Sequence, residues 1–242
     1  MRIPQAIFTS LRTARLDGYQ LAAWSPEVTD DLARELTSWG PAHDSLLSDS
    51  PAAVSINFHP LQNEQFCLSR TTRTGAEYSG RAGGCIQTLM FVLSLADVAR
   101  FNNHPFAILR AMAAAGRLQV AQPASSRLRS VPLVGRRLPG PLALQTVDEP
   151  LDAAVFSDLV QTLSRGDCAV VVSSLSVENV LISLFNRLPE DRRLEISFST
   201  GLRFSPRRAF RLLAAPKDVA EQRQLARQPG VKIVSLDALP AI

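Results

Sequence analysis

Residues 197–208 read SFSTGLRFSPRR, and among the 242 residues this stretch comes nearest to announcing a chemistry. Ser, Thr and Gly beside Arg203, Arg207 and Arg208 are residue types that cradle a phosphate or grip a carboxylate. A guanidinium presents a planar fork of donors that can hold an oxyanion through two parallel hydrogen bonds. Two other stretches repeat the theme: RTAR, with Arg12 and Arg15 followed by Tyr19, and YSGR, with Tyr78 and Arg81. Tyr and Arg are the side chains that concentrate binding energy at interfaces. A true phosphate loop is missing. GAEYSGRAGG has no lysine in the GxxxxGK[ST] position and runs into a strand, whereas a phosphate loop runs into a helix.

Other chemistries find less support. A cysteine nucleophile would combine Cys67 or Cys85 with His59, but both cysteines sit among apolar neighbours, where burial raises a thiol pKa. The three cysteines, with Cys168, read as reduced thiols packed in strands, and no Cys/His pair has metal-ligand spacing. His43, His59 and His104 read as loop or capping residues, and the acidic pairs Asp30-Asp31 and Glu190-Asp191 as helix or loop termini. No catalytic residue, metal site or cofactor is expected.

The elements that must position the arginines follow from periodicity. QAIFTSL and GYQLAAW are strand-like runs whose Asp-Gly connection favours a hairpin. TDDLARELTSWG reads as a helix capped by Thr29, with Leu32, Leu36 and Trp39 on one face and Gly40-Pro41 as the stop. AVSINF and EQFCLSRT alternate as neighbouring antiparallel strands, and CIQTLMFVL follows as a third. LADVARF and a helix opened by Pro105 close an α+β unit over residues 1–118. Residues 119–149 carry four prolines and Arg127, Arg129, Arg136 and Arg137, which reads as a solvated linker. Residues 150–242 alternate helix and strand, with CAVVVSS as a strand buried on both faces, and predict an α/β unit with helices packed on a central sheet. SFSTGLRFSPRR falls between LEISF and FRLL and is expected to join them as a hairpin-like turn, exposing its arginines. On that reading a double Arg207→Glu, Arg208→Glu substitution leaves the melting temperature nearly unchanged.

Bulk properties narrow the setting. The charge of +4 comes almost wholly from arginine, since Lys217 and Lys232 are the only lysines. The basic pI of 9.4 admits nucleic acid. However, no helix-turn-helix, zinc-finger or RRM signature accompanies it, and aromatic residues are 6% of the chain, leaving few stacking platforms. The longest apolar run, LMFVLSLADVARF, falls short of the roughly 20 residues that span a bilayer, and the first residues lack the apolar core of a signal peptide. A cytoplasmic location is expected.

The strings QAIFTSLRTARLDGYQLAAWSPEV, AVSINFHPL, SRTTRTGAEYSGR and LEISFSTGLRFSPRRAFRLLA resemble the amino-terminal and middle regions of the bacterial GTPase-associated proteins. That resemblance implies a small GTPase encoded nearby as partner, a conflict or defence system as context, and further subunits of a multi-protein complex. Members are usually longer, so a chain ending in LDALPAI is expected to be a short form or a fragment. A second resemblance lies in the order of elements. FVLSLADVARFNNHPFAILRAM is similar to the end of a longin module, and FSDLVQTLSRGDCAVVVSSLSVENVLISLFNRLP to the start of a DENN core. Together these imply a longin-like domain followed by a DENN-like one, acting as a non-enzymatic GTPase regulator or adaptor through Arg12, Arg15, Tyr19, Tyr78, Arg81, Arg203, Arg207 and Arg208. The competing readings are a nucleic-acid-binding accessory subunit and, behind it, a cysteine hydrolase.

Overall fold

The computed structural model describes residues 1–12, 17–75, 84–119, 126–137, 139, 143–145 and 151–236. Arg15, Tyr78 and Arg81 lie outside the described residues.

Among the described residues, the first half contributes five antiparallel strands to the main sheet. β2 (Gln5–Arg12) pairs with β3 (Asp17–Trp24), as the Asp-Gly signal predicts. α1 (Asp30–Trp39) starts where the Thr29 hydroxyl accepts from the Leu32 amide at 3.3 Å, with Asp30 and Asp31 in its first turn. β4 (Val54–Leu61), β5 (Gln65–Gly75) and β6 (Cys85–Ser94) form a meander, and β6 pairs in turn with β2. Ser94 and Asp97 then make a reciprocal capping box that opens α2 (Leu95–Ala99). α3 (Pro105–Ala114) begins at the expected proline and buries Phe106, Leu109 and Met112.

The second half supplies α4 (Ala153–Ser164), β8 (Cys168–Val172), α5 (Val177–Arg187), α6 (Glu190–Arg193), β9 (Phe198–Ser199), β10 (Leu212–Ala214), α7 (Val219–Leu225) and β11 (Val231–Ser235). Its strands pair in parallel, and β9 joins them to the first half by antiparallel pairing with β4. The result is one nine-stranded sheet in the order β11-β8-β10-β9-β4-β5-β6-β2-β3. The chain is therefore a mixed α+β structure whose sheet runs through both segments.

Alternation along the strands divides the core. Phe58, Leu68, Phe91 and Phe198 point to the face covered by α3, α4 and α5, where Phe106, Leu159, Leu163, Leu181 and Phe185 complete the largest apolar cluster. On the opposite face Leu32 and Leu36 of α1 cover Ala6, Phe8, Cys67, Met90 and Val92. No helix among the described residues is long and apolar enough to cross a membrane.

Two expectations need correction. Within the described part of 119–149, Arg127, Arg129, Arg136 and Arg137 are exposed as a solvated linker requires, but residues 131–133 pack against the fold. β7 (Val131–Pro132) pairs antiparallel with β1 (Arg2–Ile3), Val131 and Leu133 are buried, and the Leu128 amide donates to the Trp24 carbonyl at 3.0 Å. Prolines hold the backbone extended, and extended chain is what an edge can accept. The connection from β9 to β10 is also no hairpin, because the two strands are parallel neighbours. Parallel strands need a crossover of about a dozen residues, and residues 200–211 supply it without a helix.

Candidate functional site: an arginine turn over a cleft

The crossover 200–211 is fastened to the first half from both sides. Ile56 and Thr200 exchange bonds, the Thr200 amide donating to the Ile56 carbonyl at 3.0 Å and the Ile56 amide to the Thr200 hydroxyl at 2.8 Å. The Leu47 amide donates to the Gly201 carbonyl at 2.8 Å, and the Arg203 amide to the Ser45 carbonyl at 2.7 Å. Gly201 is demanded by close approach: a Cβ there would stand 2.9 Å from the Val54 carbonyl oxygen. Leu202 and Phe210 are buried, and the Phe210 ring lies 5.2 Å from Trp39 of α1.

Between these anchors the chain makes one tight turn, Ser205 to Arg208, closed by the Arg208 amide donating to the Ser205 carbonyl at 3.0 Å. Pro206 occupies the position whose fixed φ favours such a turn. The three arginines then take three different roles. Arg203 pairs with both oxygens of Glu221 on α7, at 2.5 and 2.7 Å. That carboxylate, as hydrogen-bond acceptor, raises the guanidinium pKa above its ordinary value. Arg207 is exposed at the tip of the turn.

Arg208 is 9% exposed, which corrects the expectation that it is a surface contact. Its Nη2 donates to the Arg203 carbonyl at 3.3 Å and its Nε has no partner. The turn folds the side chain back under the crossover, so replacing it with a glutamate is a core substitution. Beneath the turn, a cleft of about 670 Å³ is lined by Ser205, Arg207 and Arg208 on one side and by Thr37, Ser38, Gly40 and Ala42 at the end of α1 on the other.

The remaining predicted residues sit elsewhere on the sheet. Arg12 ends β2, largely exposed, with Asp17 at 3.8 Å. Tyr19 on β3 is half-buried: its phenol oxygen accepts from the Ile86 amide at 3.2 Å and its ring stacks between Phe8 and His43.

The cysteine–histidine pair that a hydrolase would need is present in register, since His59 stands opposite Cys67 across β4 and β5. Burial sets both groups against that chemistry, pushing the Cys67 thiol up to about 12 and the His59 imidazole down to about 4. His59 is a strand residue stacked on Trp39 with ring centroids 3.8 Å apart, not the loop or capping residue expected from sequence. His104 does precede α3 at the cap position, yet makes no side-chain cap bond.

Sequence reasoning missed a buried polar network beside the crossover. Asn57 Oδ1 accepts from Ser55 at 2.7 Å and Ser199 at 2.6 Å, while its Nδ2 donates to Ser69 at 3.1 Å. Thr71 and Thr88 extend the row at 2.9 Å. The signal was present in VSINFHPL, whose Ser55, Asn57 and His59 share one face.

A family model described as GTPase-associated protein 1, N-terminal domain type 2, matches residues 2–132. No curated protein and no solved structure matches the chain.

Proposed function

The chain belongs to the family of the GTPase-associated protein 1 N-terminal domain, type 2, and from that membership we propose that it is a non-enzymatic regulator or adaptor of a GTPase. The single observation that carries a site for this role is the attachment of the arginine turn to the family-matched region. Hydrogen bonds between residues 200–203 and Ser45, Leu47 and Ile56 hold the turn against residues 2–132. The turn thereby presents Arg207 from a fixed base, close to the end of α1. A guanidinium offered on a rigid turn suits pairing with an acidic switch surface or reaching a bound nucleotide. The reading covers both exchange-factor-like and activator-like action, in a bacterial conflict or defence setting.

The succession of elements supports the longin and DENN comparison as part of this proposal. β6, α2 and the His104-Pro105-Phe106 start of α3 follow one another as at the end of a longin module. α4, β8, the Ser173-Ser174 turn and α5 follow one another as at the start of a DENN core.

The test is co-purification with the GTPase encoded beside this protein, followed by nucleotide-release and GTP-hydrolysis rates with and without it. Complex formation with a changed rate is expected. Arg207→Glu is expected to weaken the complex about tenfold, while stability stays within about 0.5 kcal/mol of the parent because the side chain is exposed. Absence of a complex and of any rate change defeats the regulator reading, and tight, salt-sensitive binding of DNA or RNA instead promotes the nucleic-acid one.

A further inference from the structure

We propose that the cleft between the end of α1 and the Ser205–Arg208 turn binds a small phosphorylated ligand, with Arg208 as the buried donor to its phosphoryl oxygens and Arg207 as the exposed one. The argument begins with a charge that lacks a counter-charge. Among the described residues, Arg73, Arg137 and Arg203 each face a carboxylate, Asp49, Glu190 and Glu221 respectively. The most deeply buried guanidinium, that of Arg193, donates to the carbonyls of Leu188 at 3.1 Å and Asn102 at 2.8 Å. Arg208 has neither solution. It is nine-tenths buried, its Nε is unpartnered, and its Nη2 makes only a 3.3 Å contact with the Arg203 carbonyl among the described residues. Burial is the sole influence on its pKa, which falls, with no carboxylate acting to restore it.

A buried cation without a complement is costly, and such a group in a folded protein calls for an explanation. The cleft provides one. Among the described residues no acidic side chain lines it, and Arg207, directly before Arg208 in sequence, lines the same space. Two guanidiniums on one cleft suit a phosphate, whose oxygens can accept from both forks at once.

The opposite wall has the reverse polarity. The Thr37 and Ser38 hydroxyls donate to the carbonyls of Ala33 at 2.8 Å and Glu35 at 2.7 Å, leaving their oxygens as acceptors. A ligand with phosphoryl oxygens at one end and hydroxyl or amino donors at the other matches this arrangement. The volume of about 670 Å³ falls within the range of roughly 300–1,000 Å³ typical of small-molecule sites. The inference stands on the guanidinium and the cleft, so it is read separately from the outcome with the GTPase.

Inorganic pyrophosphate is the probe, titrated by calorimetry into the full chain at constant ionic strength, with malonate as the carboxylate control. Saturable one-to-one binding of pyrophosphate is expected, with malonate at least about tenfold weaker. Arg208→Met is expected to abolish it, and to melt no lower than the parent in chloride buffer because it removes an unpaired buried charge. Arg207→Gln, exposed on the turn and safe for folding, is expected to weaken binding about tenfold, and it decides the matter should Arg208→Met fail to fold. No saturable binding of pyrophosphate, equal binding of malonate, or unchanged binding by Arg207→Gln overturns the proposal.

Discussion

Replacing Phe198 by alanine is expected to lower the unfolding free energy by about 3–5 kcal/mol, the usual cost of emptying a buried phenylalanine site. β9 is two residues long, yet it is the joint of the sheet. Phe198 faces Phe58 of β4 across one edge and Leu212 of β10 across the other. Its fully buried ring stacks on Phe106 at 5.1 Å and meets Phe185 edge-on at 5.5 Å, so one side chain touches α3 and α5 as well as both halves of the sheet. A domain of this kind has a total stability of about 5–15 kcal/mol, which makes the loss a large share. Urea unfolding followed both by fluorescence of Trp24 and Trp39, which report the first half, and by far-UV circular dichroism checks it. The two signals should move together to a lower midpoint. A shifted circular-dichroism transition with unmoved tryptophan fluorescence would show that β9 does not couple the halves. Phe156→Ala is the control: this half-buried ring sits beneath the Arg187 guanidinium at 5.6 Å and is expected to cost about 1 kcal/mol.

That joint is also where sequence reading reached its physical end. The alternation of AVSINF, the helical face of TDDLARELTSW and the continuous apolar run CAVVV are local signals, and each element stands where its period places it. The sense in which β9 and β10 pair is not local. It depends on β8 taking the far side of β10, and the Ser, Thr, Gly and Pro of residues 199–206 are equally good residues for a hairpin or an irregular crossover. The same limit separates Arg207 from Arg208. They are identical neighbours in sequence, and only the backbone path of the turn, fixed by Leu202 and Phe210 packing beneath it, sends one outward and the other under the chain. Arg203 was legible as a polar contact, but its partner Glu221 lies on α7, beyond the intervening β10, and nothing local to either residue pairs them. At residues 131–133 a proline reads as an interruption of regular structure, while the extended shape that Pro132 imposes on itself and on Val131 is what lets this stretch pair with β1 and bury Val131 and Leu133. The Asn57 network was overlooked for a related reason. Polar residues at every second position read as a solvent face until α1 and the crossover are known to cover it.

The second large effect is expected on acidification, a loss of about 4 kcal/mol between pH 7 and pH 5, divided about equally between His59 and His104. Both imidazoles are buried. Burial pushes His59 down to about 4, against the pull of the Pro60 carbonyl. Burial and then the Arg193 charge push His104 down to about 3, against its bond to Asn186. The Asn186 amide is oriented by its two bonds to the Leu144 backbone, so its oxygen accepts from His104 Nε2 at 3.2 Å and holds the neutral tautomer with Nδ1 unprotonated. That Nδ1 has no partner ready to receive a proton's hydrogen bond. In the unfolded chain each histidine binds its proton near pH 6.5. With folded values below the unfolded one, the stabilisation is complete above about pH 6.5 and is lost as pH falls, each histidine contributing a slope of about 1.4 kcal/mol per pH unit until its folded pKa is reached. Glu178, raised by burial, acts in the opposite sense and gains as pH falls, so it shallows the slope without reversing it. Urea midpoints measured from pH 7 to pH 5 test the loss, and His59→Gln and His104→Gln should each remove about half of the slope. A parent protein whose midpoint is flat over that range, or a double variant that keeps the full slope, would assign the acid response to other groups.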